Sequence, residues 1–117
     1  MENAIHKNLA SGRWFALSFL EQMGNIGSEV GRAVARQKRG DDTQKEKALE
    51  RAFELIDLTA ADPRWRRFSR LKEIMRAREV LADVFYGDNV YGDTPEKMEK
   101  YFFEFALAAR NLHLVKK

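Results

Sequence analysis

The sequence predicts an all-α protein with the architecture of an antiparallel up-down four-helix bundle. Its 117 residues, of which 44% are hydrophobic, are enough for one domain with a core. Four amphipathic stretches repeat apolar residues at helical spacing, and short polar turns separate them. We therefore expect residues 1–117 to form a single domain, with residues 1–17 as a lead-in segment.

The first helix, predicted over residues 18–39, is expected to be the centre of the bundle. Ser18 and Glu21 form a capping-box pattern at its start. Six residues form its apolar face: Phe19, Met23, Ile26, Val30, Ala33 and Val34. Three glycines, Gly24, Gly27 and Gly31, fall on one flank of that face, and each costs about 1 kcal/mol relative to alanine. Such a flank predicts close backbone packing against a neighbouring helix.

The second helix is predicted to begin at a capping box of Thr43 and Glu46 and to end at Asp62-Pro63. The third is predicted to run from Trp65 to Tyr86. Its core face is predicted to hold Leu71, Ile74, Met75, Leu81, Ala82 and Phe85.

Arg78 falls in the middle of that predicted core face. A buried guanidinium needs a partner, so we expect a buried polar network of Arg78 with a carboxylate of another helix, Asp57 or Glu29.

The fourth helix is predicted to be capped by Thr94, with Pro95 in its first turn. Phe103, Leu107 and Leu114 lie opposite its core stripe. An apolar strip of Val80, Val84, Phe103 and Leu107 is therefore predicted at the surface, which favours a homo-oligomer. The alternative is that the N-terminal segment covers this strip.

Between Arg64 and Arg78 the chain has seven basic residues and one acid, whereas between Glu79 and Glu104 it has seven acids and two lysines. Arginines bind phosphate and a tryptophan can stack on an unpaired base. A nucleic-acid site, for RNA or DNA, is therefore predicted at Arg64, Trp65, Arg66, Arg67 and Arg70. The alternative is a solvated helix start, with Trp65 and Phe68 buried at the end of the bundle.

The sequence lacks the residues that several classes of protein function require. There is no cysteine, and His6 and His113 are close to opposite ends of the chain, so no catalytic triad, metal site or cofactor site is expected. No apolar stretch approaches the length of a membrane span. The sequence therefore favours a non-enzymatic, cytoplasmic accessory or interaction protein that self-associates.

An alternative function comes from five acids that share helical faces: Glu29, Glu54, Asp57, Glu79 and Asp83. Facing acid pairs can hold Mg²⁺, as in the all-α nucleotide pyrophosphatases, and Glu54-Leu-Ile-Asp57 resembles half of that family's pattern. The alternative is thus a Mg²⁺-dependent protein that binds or hydrolyses nucleotides. Against it, these acids can simply pair with Arg32, Arg51, Arg76 and Arg78.

Four segments together resemble a family of small, uncharacterised prokaryotic proteins: residues 23–30 (MGNIGSEV), 52–59 (AFELIDLT), 78–83 (REVLAD) and 101–106 (YFFEFA). The likeness spans about residues 14–111 and implies one domain. The size and architecture are also similar to the four-helix-bundle proteins encoded within ribosomal-RNA intervening sequences and to the RNA-associated accessory proteins of diversity-generating retroelements.

Overall fold

Four α-helices form most of the chain in the computed structural model, which describes residues 12–66 and 69–116. They are α1 (Phe19–Lys38), α2 (Asp42–Ala60), α3 (Ser69–Tyr86) and α4 (Pro95–Lys116), with 3₁₀ turns at Trp14–Ala16 and Pro63–Trp65. No β-strand occurs in these described ranges, so the prediction of an all-α protein with four helices is confirmed. None of the helices in the described part is long and apolar enough to cross a bilayer.

Helix α1 is the centre of the molecule, because its contacts with α2 and α4 are the most extensive between any two elements. The predicted capping box is present: Glu21 N donates to Ser18 Oγ at 3.1 Å, and Ser18 N donates to Glu21 Oε1 at 2.8 Å. All six residues of the predicted apolar face are buried. Burying that face supplies most of the stabilisation that the helix needs in water.

The glycine flank of α1 faces α4, as the sequence predicts. A Cβ atom added at Gly27 would lie 2.8 Å from Phe102 Cβ, and one added at Gly24 would lie 2.9 Å from Ala106 Cα. Both distances are shorter than carbon atoms tolerate, so only glycine lets the two helices approach this closely. At Gly31 the nearest atom is instead a carboxylate oxygen of Glu99, at 3.1 Å, at the end of a flexible side chain.

The start of α2 differs from the prediction. Asp41 is its N-cap, since Gln44 N donates to Asp41 Oδ1 at 3.2 Å, and Thr43 lies inside the first turn. The predicted capping box of Thr43 and Glu46 is therefore wrong, because an aspartate two residues earlier caps as well as a threonine does. At α4 the predicted cap is present, with Lys97 N donating to Thr94 Oγ1 at 3.1 Å.

Helix α3 turns to the core a face that overlaps with the predicted one only in Ile74 and Leu81. Its buried residues are Ile74, Ala77, Val80 and Leu81, whereas Met75 is 44% exposed. The rotation, about a quarter turn, keeps the Arg78 guanidinium at the surface, where solvent reduces the cost of its charge. Ala77 and Val80 enter the core in its place.

Hydrogen bonds from two tyrosine hydroxyls connect α3 to α2 and to α4. Tyr86 Oη donates to Glu46 Oε1 of α2 at 2.6 Å, and Tyr101 Oη of α4 donates to Glu73 Oε2 at 2.9 Å. Burial, together with the hydrogen bond to Glu73, raises the pKa of the Tyr101 phenol above its ordinary value. Both hydroxyls therefore stay protonated and remain donors at neutral pH.

Substitution of Gly27 tests the close approach of α1 and α4. We expect Gly27→Ala to lower the free energy of unfolding by about 1–2 kcal/mol, since overpacking against Phe102 exceeds the gain of about 1 kcal/mol in helix propensity. Gly31→Ala is the matched control. Because the Glu99 side chain can move aside there, it should be neutral or stabilising by up to about 1 kcal/mol. Urea denaturation measures both, and equal effects of the two substitutions would contradict the packing described here.

Candidate functional site

Gln22 is the centre of a buried polar cluster at the end of the molecule where α1 begins and α2 ends. Its Nε2 donates to the Trp14 carbonyl oxygen at 3.0 Å and to Asp62 Oδ2 at 3.1 Å. Its Oε1 accepts the Trp65 indole N–H at 2.9 Å. We call Trp14, Gln22, Thr59, Asp62 and Trp65 the Gln22 cluster. All five are buried, and Gln22 itself is 0% exposed.

The second tryptophan of the Gln22 cluster has its own buried acceptor. Trp14 Nε1 donates to Thr59 Oγ1 at 3.0 Å, and that hydroxyl donates to the Leu55 carbonyl at 2.8 Å. Both indole N–H groups are thereby satisfied, which removes the cost of burying them without a partner.

Asp62 holds Arg64 beside the Gln22 cluster. The Asp62 carboxylate accepts the Arg64 backbone N–H at 3.0 Å and Arg64 Nη2 at 2.7 Å, and Nη2 also donates to the Leu17 carbonyl at 2.6 Å. Burial alone would raise the pKa of Asp62, but the hydrogen bonds from Arg64 and Gln22 outweigh it and hold the pKa below its usual value. The charge of Arg64 is thus neutralised by Asp62 within the protein.

The residues of the predicted nucleic-acid site take different positions. Trp65 is only 6% exposed, its N–H is used by Gln22, and Phe19 packs against it edge-on with ring centroids 5.3 Å apart. As folded, Trp65 offers no open face on which a base could stack. Arg67 lies outside the described residues. Among the described residues of the site Arg64, Arg66 and Arg70 are exposed, and Arg64 is paired with Asp62.

Arg70 is held in place by aromatic rings. Its Cζ lies 4.9 Å from the Phe19 ring centroid and 5.1 Å from that of Trp65. These cation–π contacts orient the guanidinium while leaving its N–H groups available to another acceptor. Within residues 12–66 and 69–116, neither Arg66 nor Arg70 forms an ion pair with a carboxylate. We call Arg66 and Arg70 the arginine pair.

The predicted buried polar network is divided into two separate sites. Arg78 Nε donates to Asp57 Oδ1 at 2.8 Å, but both side chains are more than one-third exposed. The hydrogen bond to Asp57 raises the pKa of Arg78. Glu29 does not join them: it lies between Arg51, at 3.1 Å, and Arg32, also at 3.1 Å. The Arg78–Asp57 pair is a surface contact because α3 is rotated, and Glu29 links α1 to α2.

The acids of the alternative Mg²⁺ site do not converge. Glu29 and Asp57 face arginines, and the Asp83 carboxylate accepts the backbone N–H groups of Val90 and Tyr91 at 2.9 and 3.0 Å. In the described part of the chain no three carboxylate or imidazole side chains are grouped so that they could hold a metal ion. Asp83 instead fixes the loop before α4.

Two of the four residues in the predicted apolar surface strip are exposed. Phe103 and Leu107 are 58% and 43% exposed. Val80, in contrast, is buried, and Val84 packs against the core, because the rotation of α3 turns both inward. Residues 1–11, the alternative cover for this strip, lie outside the described residues.

The Gln22 cluster was missed at the level of sequence, although a signal for it existed. At about 100° per residue Gln22 lies beside Ile26 and Ala33, within the apolar face of α1. A glutamine at such a position has to find partners for its amide.

Comparison with known proteins gives no match: no family model, no curated protein and no solved structure is significantly similar to this chain. The resemblance to small prokaryotic four-helix proteins remains a prediction from sequence.

The depressed pKa of Asp62 predicts a specific dependence of stability on pH. Its folded pKa lies below the unfolded value of about 3.9, so its stabilising contribution is complete above that value and is lost as the pH falls through the folded pKa. We expect Asp62→Asn to cost about 1.5–3 kcal/mol at pH 7, because charge-assisted hydrogen bonds are lost. The difference from wild type should shrink below about pH 4.

Urea denaturation between pH 2.5 and 7 measures this difference. Asp88→Asn, which changes an exposed loop aspartate, is the control and should follow wild type at every pH. A difference between Asp62→Asn and wild type that stays constant over this range would contradict the assignment.

Proposed function

We propose that this chain is a non-enzymatic, self-associating interaction protein that binds the phosphate backbone of a nucleic acid through the arginine pair. The observation that carries the proposal is that Arg66 and Arg70 are exposed cations without a carboxylate partner among the described residues, and that the buried rings of Phe19 and Trp65 orient Arg70. Guanidinium groups bind phosphate oxygens in a bidentate manner, and a guanidinium that is already oriented loses less entropy on binding.

The burial of Trp65 limits the proposed mode of binding to contacts that do not involve its ring. Because its ring is buried and its N–H is used by Gln22, base stacking on this residue is not part of the proposal. Contacts to phosphate carry little sequence information, so we expect binding that depends strongly on salt and weakly on sequence. The partner is RNA or DNA, and the test below compares them.

We infer further that the four helices alternate in direction, as an up-down bundle requires. Along the α1–α4 interface, residue numbers in α4 fall as those in α1 rise: Gly24 meets Ala106, Gly31 meets Glu99, and Lys38 pairs with Glu96 at 3.6 Å. Contacts between α2 and α3 follow the same rule, with Asp57 at Arg78 and Glu46 at Tyr86.

This arrangement separates the charges along the molecule. Residues 64–72 contain five basic residues and no acid, whereas residues 83–99 contain five acids and one lysine. Helix α3 separates the two segments, so that the basic segment lies at the end that holds the arginine pair and the acidic segment lies at the opposite end, which also carries cations such as Arg39 and Lys47. The basic segment attracts a polyanion to the end that holds the arginine pair.

The arrangement of the acids supports the non-enzymatic proposal over a Mg²⁺-dependent nucleotide hydrolase. Such an enzyme needs several carboxylates directed into one cleft. Here Glu29, Asp57 and Asp83 are directed toward arginines or backbone amides on different elements.

Replacing the arginine pair should weaken binding without unfolding the protein. We expect Arg66→Gln/Arg70→Gln to lower affinity for a fluorescein-labelled single-stranded RNA at low salt by about tenfold or more. Loss of two phosphate contacts should also reduce the slope of log K against log salt by about 1.4 for single strands and about 1.8 for duplex DNA. Fluorescence anisotropy at several salt concentrations measures both quantities.

The control variant is Arg39→Gln/Lys47→Gln, which removes the same charge from exposed residues at the other end of the molecule. It should bind nearly as wild type does. Equal losses in the two double variants, or no wild-type binding of either RNA or DNA at low salt, would overturn the nucleic-acid proposal.

A further inference from the structure

The outer face of α4 is an apolar stripe with nothing packed on it in the described chain. The stripe consists of Phe103, Leu107, Arg110 and Leu114, spaced so that all four fall on one side of the helix. Phe103, Leu107 and Leu114 are 58%, 43% and 56% exposed. The residues that α4 buries, Met98 and Phe102, lie on the other side. Three large apolar side chains in one exposed row indicate a contact surface.

Charge is divided along the same helix. The half before Phe105 contains Glu96, Glu99 and Glu104, with two lysines, whereas the half after it contains bases and no acid. Glu104 is 62% exposed in its side chain, and among the described residues it pairs only with Lys100 one turn away, at 3.0 Å. Arg110 is exposed and forms no ion pair within the described ranges. A helix charged in this way is complementary to a second copy of itself running in the opposite direction.

We propose that the occupant of this stripe is α4 of a second copy of the chain, packed antiparallel across a two-fold axis that passes close to Leu107. The inference rests on the self-association in the proposed function and specifies its surface and symmetry. With the axis at Leu107, that residue faces its own copy, and Glu104 lies opposite the partner's Arg110. By symmetry the same pair forms twice.

The alternative direction fits less well. A parallel pair would set Glu104 beside the partner's Glu104 and Arg110 beside the partner's Arg110, and like charges in contact are unfavourable. The antiparallel pair also opposes the two helix dipoles.

The surface beside the stripe leaves room for the second helix. A shallow groove between α1 and α4 is lined by Gly27, Gly31 and Phe103, and also by charged side chains such as Arg32 and Glu99. With the axis at Leu107, the half of the partner's α4 after Phe105 lies opposite Phe103, beside this groove.

Charge exchange across the axis tests the interface. Multi-angle light scattering and sedimentation equilibrium should give twice the 13.6 kDa monomer mass for the wild type. Glu104→Arg and Arg110→Glu should each weaken the dimer by about tenfold or more, since each places like charges together twice. The double variant Glu104→Arg/Arg110→Glu should return to within about threefold of wild type. Glu79→Arg, at an exposed acid of α3, is the control and should leave the dimer unchanged.

A second measurement does not depend on charge. The chain has no cysteine, so Leu107→Cys introduces a single thiol. Mild oxidation should join two copies through a disulfide, because a residue on the axis lies next to itself, whereas Leu112→Cys should not cross-link. Circular dichroism establishes that each variant is folded.

The outcomes of these experiments distinguish this particular interface from self-association in general. A wild-type protein that stays monomeric at millimolar concentration overturns both this interface and the self-association, while the nucleic-acid binding is still decided by its own anisotropy experiment. A wild-type dimer that survives both single exchanges and gives no Leu107→Cys cross-link overturns this interface alone.

Discussion

The side-chain amide of Gln22 is the interaction on which the rest of this structure depends. It is completely buried, and its hydrogen bonds reach the Trp14 carbonyl, the Asp62 carboxylate and the Trp65 indole. These partners come from two segments that are distant in sequence, Trp14 before α1 and Asp62 with Trp65 after α2. Loss of any one of them would leave a buried polar group unsatisfied, which costs about 1–3 kcal/mol. A single residue of α1 thereby fixes how the chain enters α1 and how it leaves α2.

The same cluster connects the fold to the proposed function. Trp65 donates its indole N–H to Gln22, and Arg64 donates to the Asp62 carboxylate. Trp65 and Arg64 therefore support the proposed binding surface and are not its contact residues. The Trp65 ring, with that of Phe19, then positions the Arg70 guanidinium at the surface. A binding group on a rigid, fully satisfied core keeps its geometry in the absence of a partner. In the proposed dimer each copy would present one such arginine pair.

The sequence predicted most of what depends on local pattern, except the cap of α2, which is Asp41 and not Thr43. It failed where two residues far apart decide. The α1 face, the Ser18 cap and the glycine flank follow from helical spacing alone. Helix α3 has a second apolar strip of Ala77, Val80 and Val84 beside the predicted face, and when this strip turns inward Arg78 finds Asp57 as its partner at the surface. Trp65 looked like a binding residue because of its basic neighbours, and only the position of Gln22 shows why it is buried.

Hydrogen exchange of the two indole N–H groups tests the central claim most directly. The chain contains two tryptophans, and both indoles donate to buried acceptors of the Gln22 cluster. In uniformly ¹⁵N-labelled protein we expect two separate indole signals, each exchanging about 10³-fold or more slowly than in a free peptide, since exposure requires the core to open. A Trp65 indole that exchanges at the free rate while the α1 backbone amides stay protected would contradict the central role of Gln22.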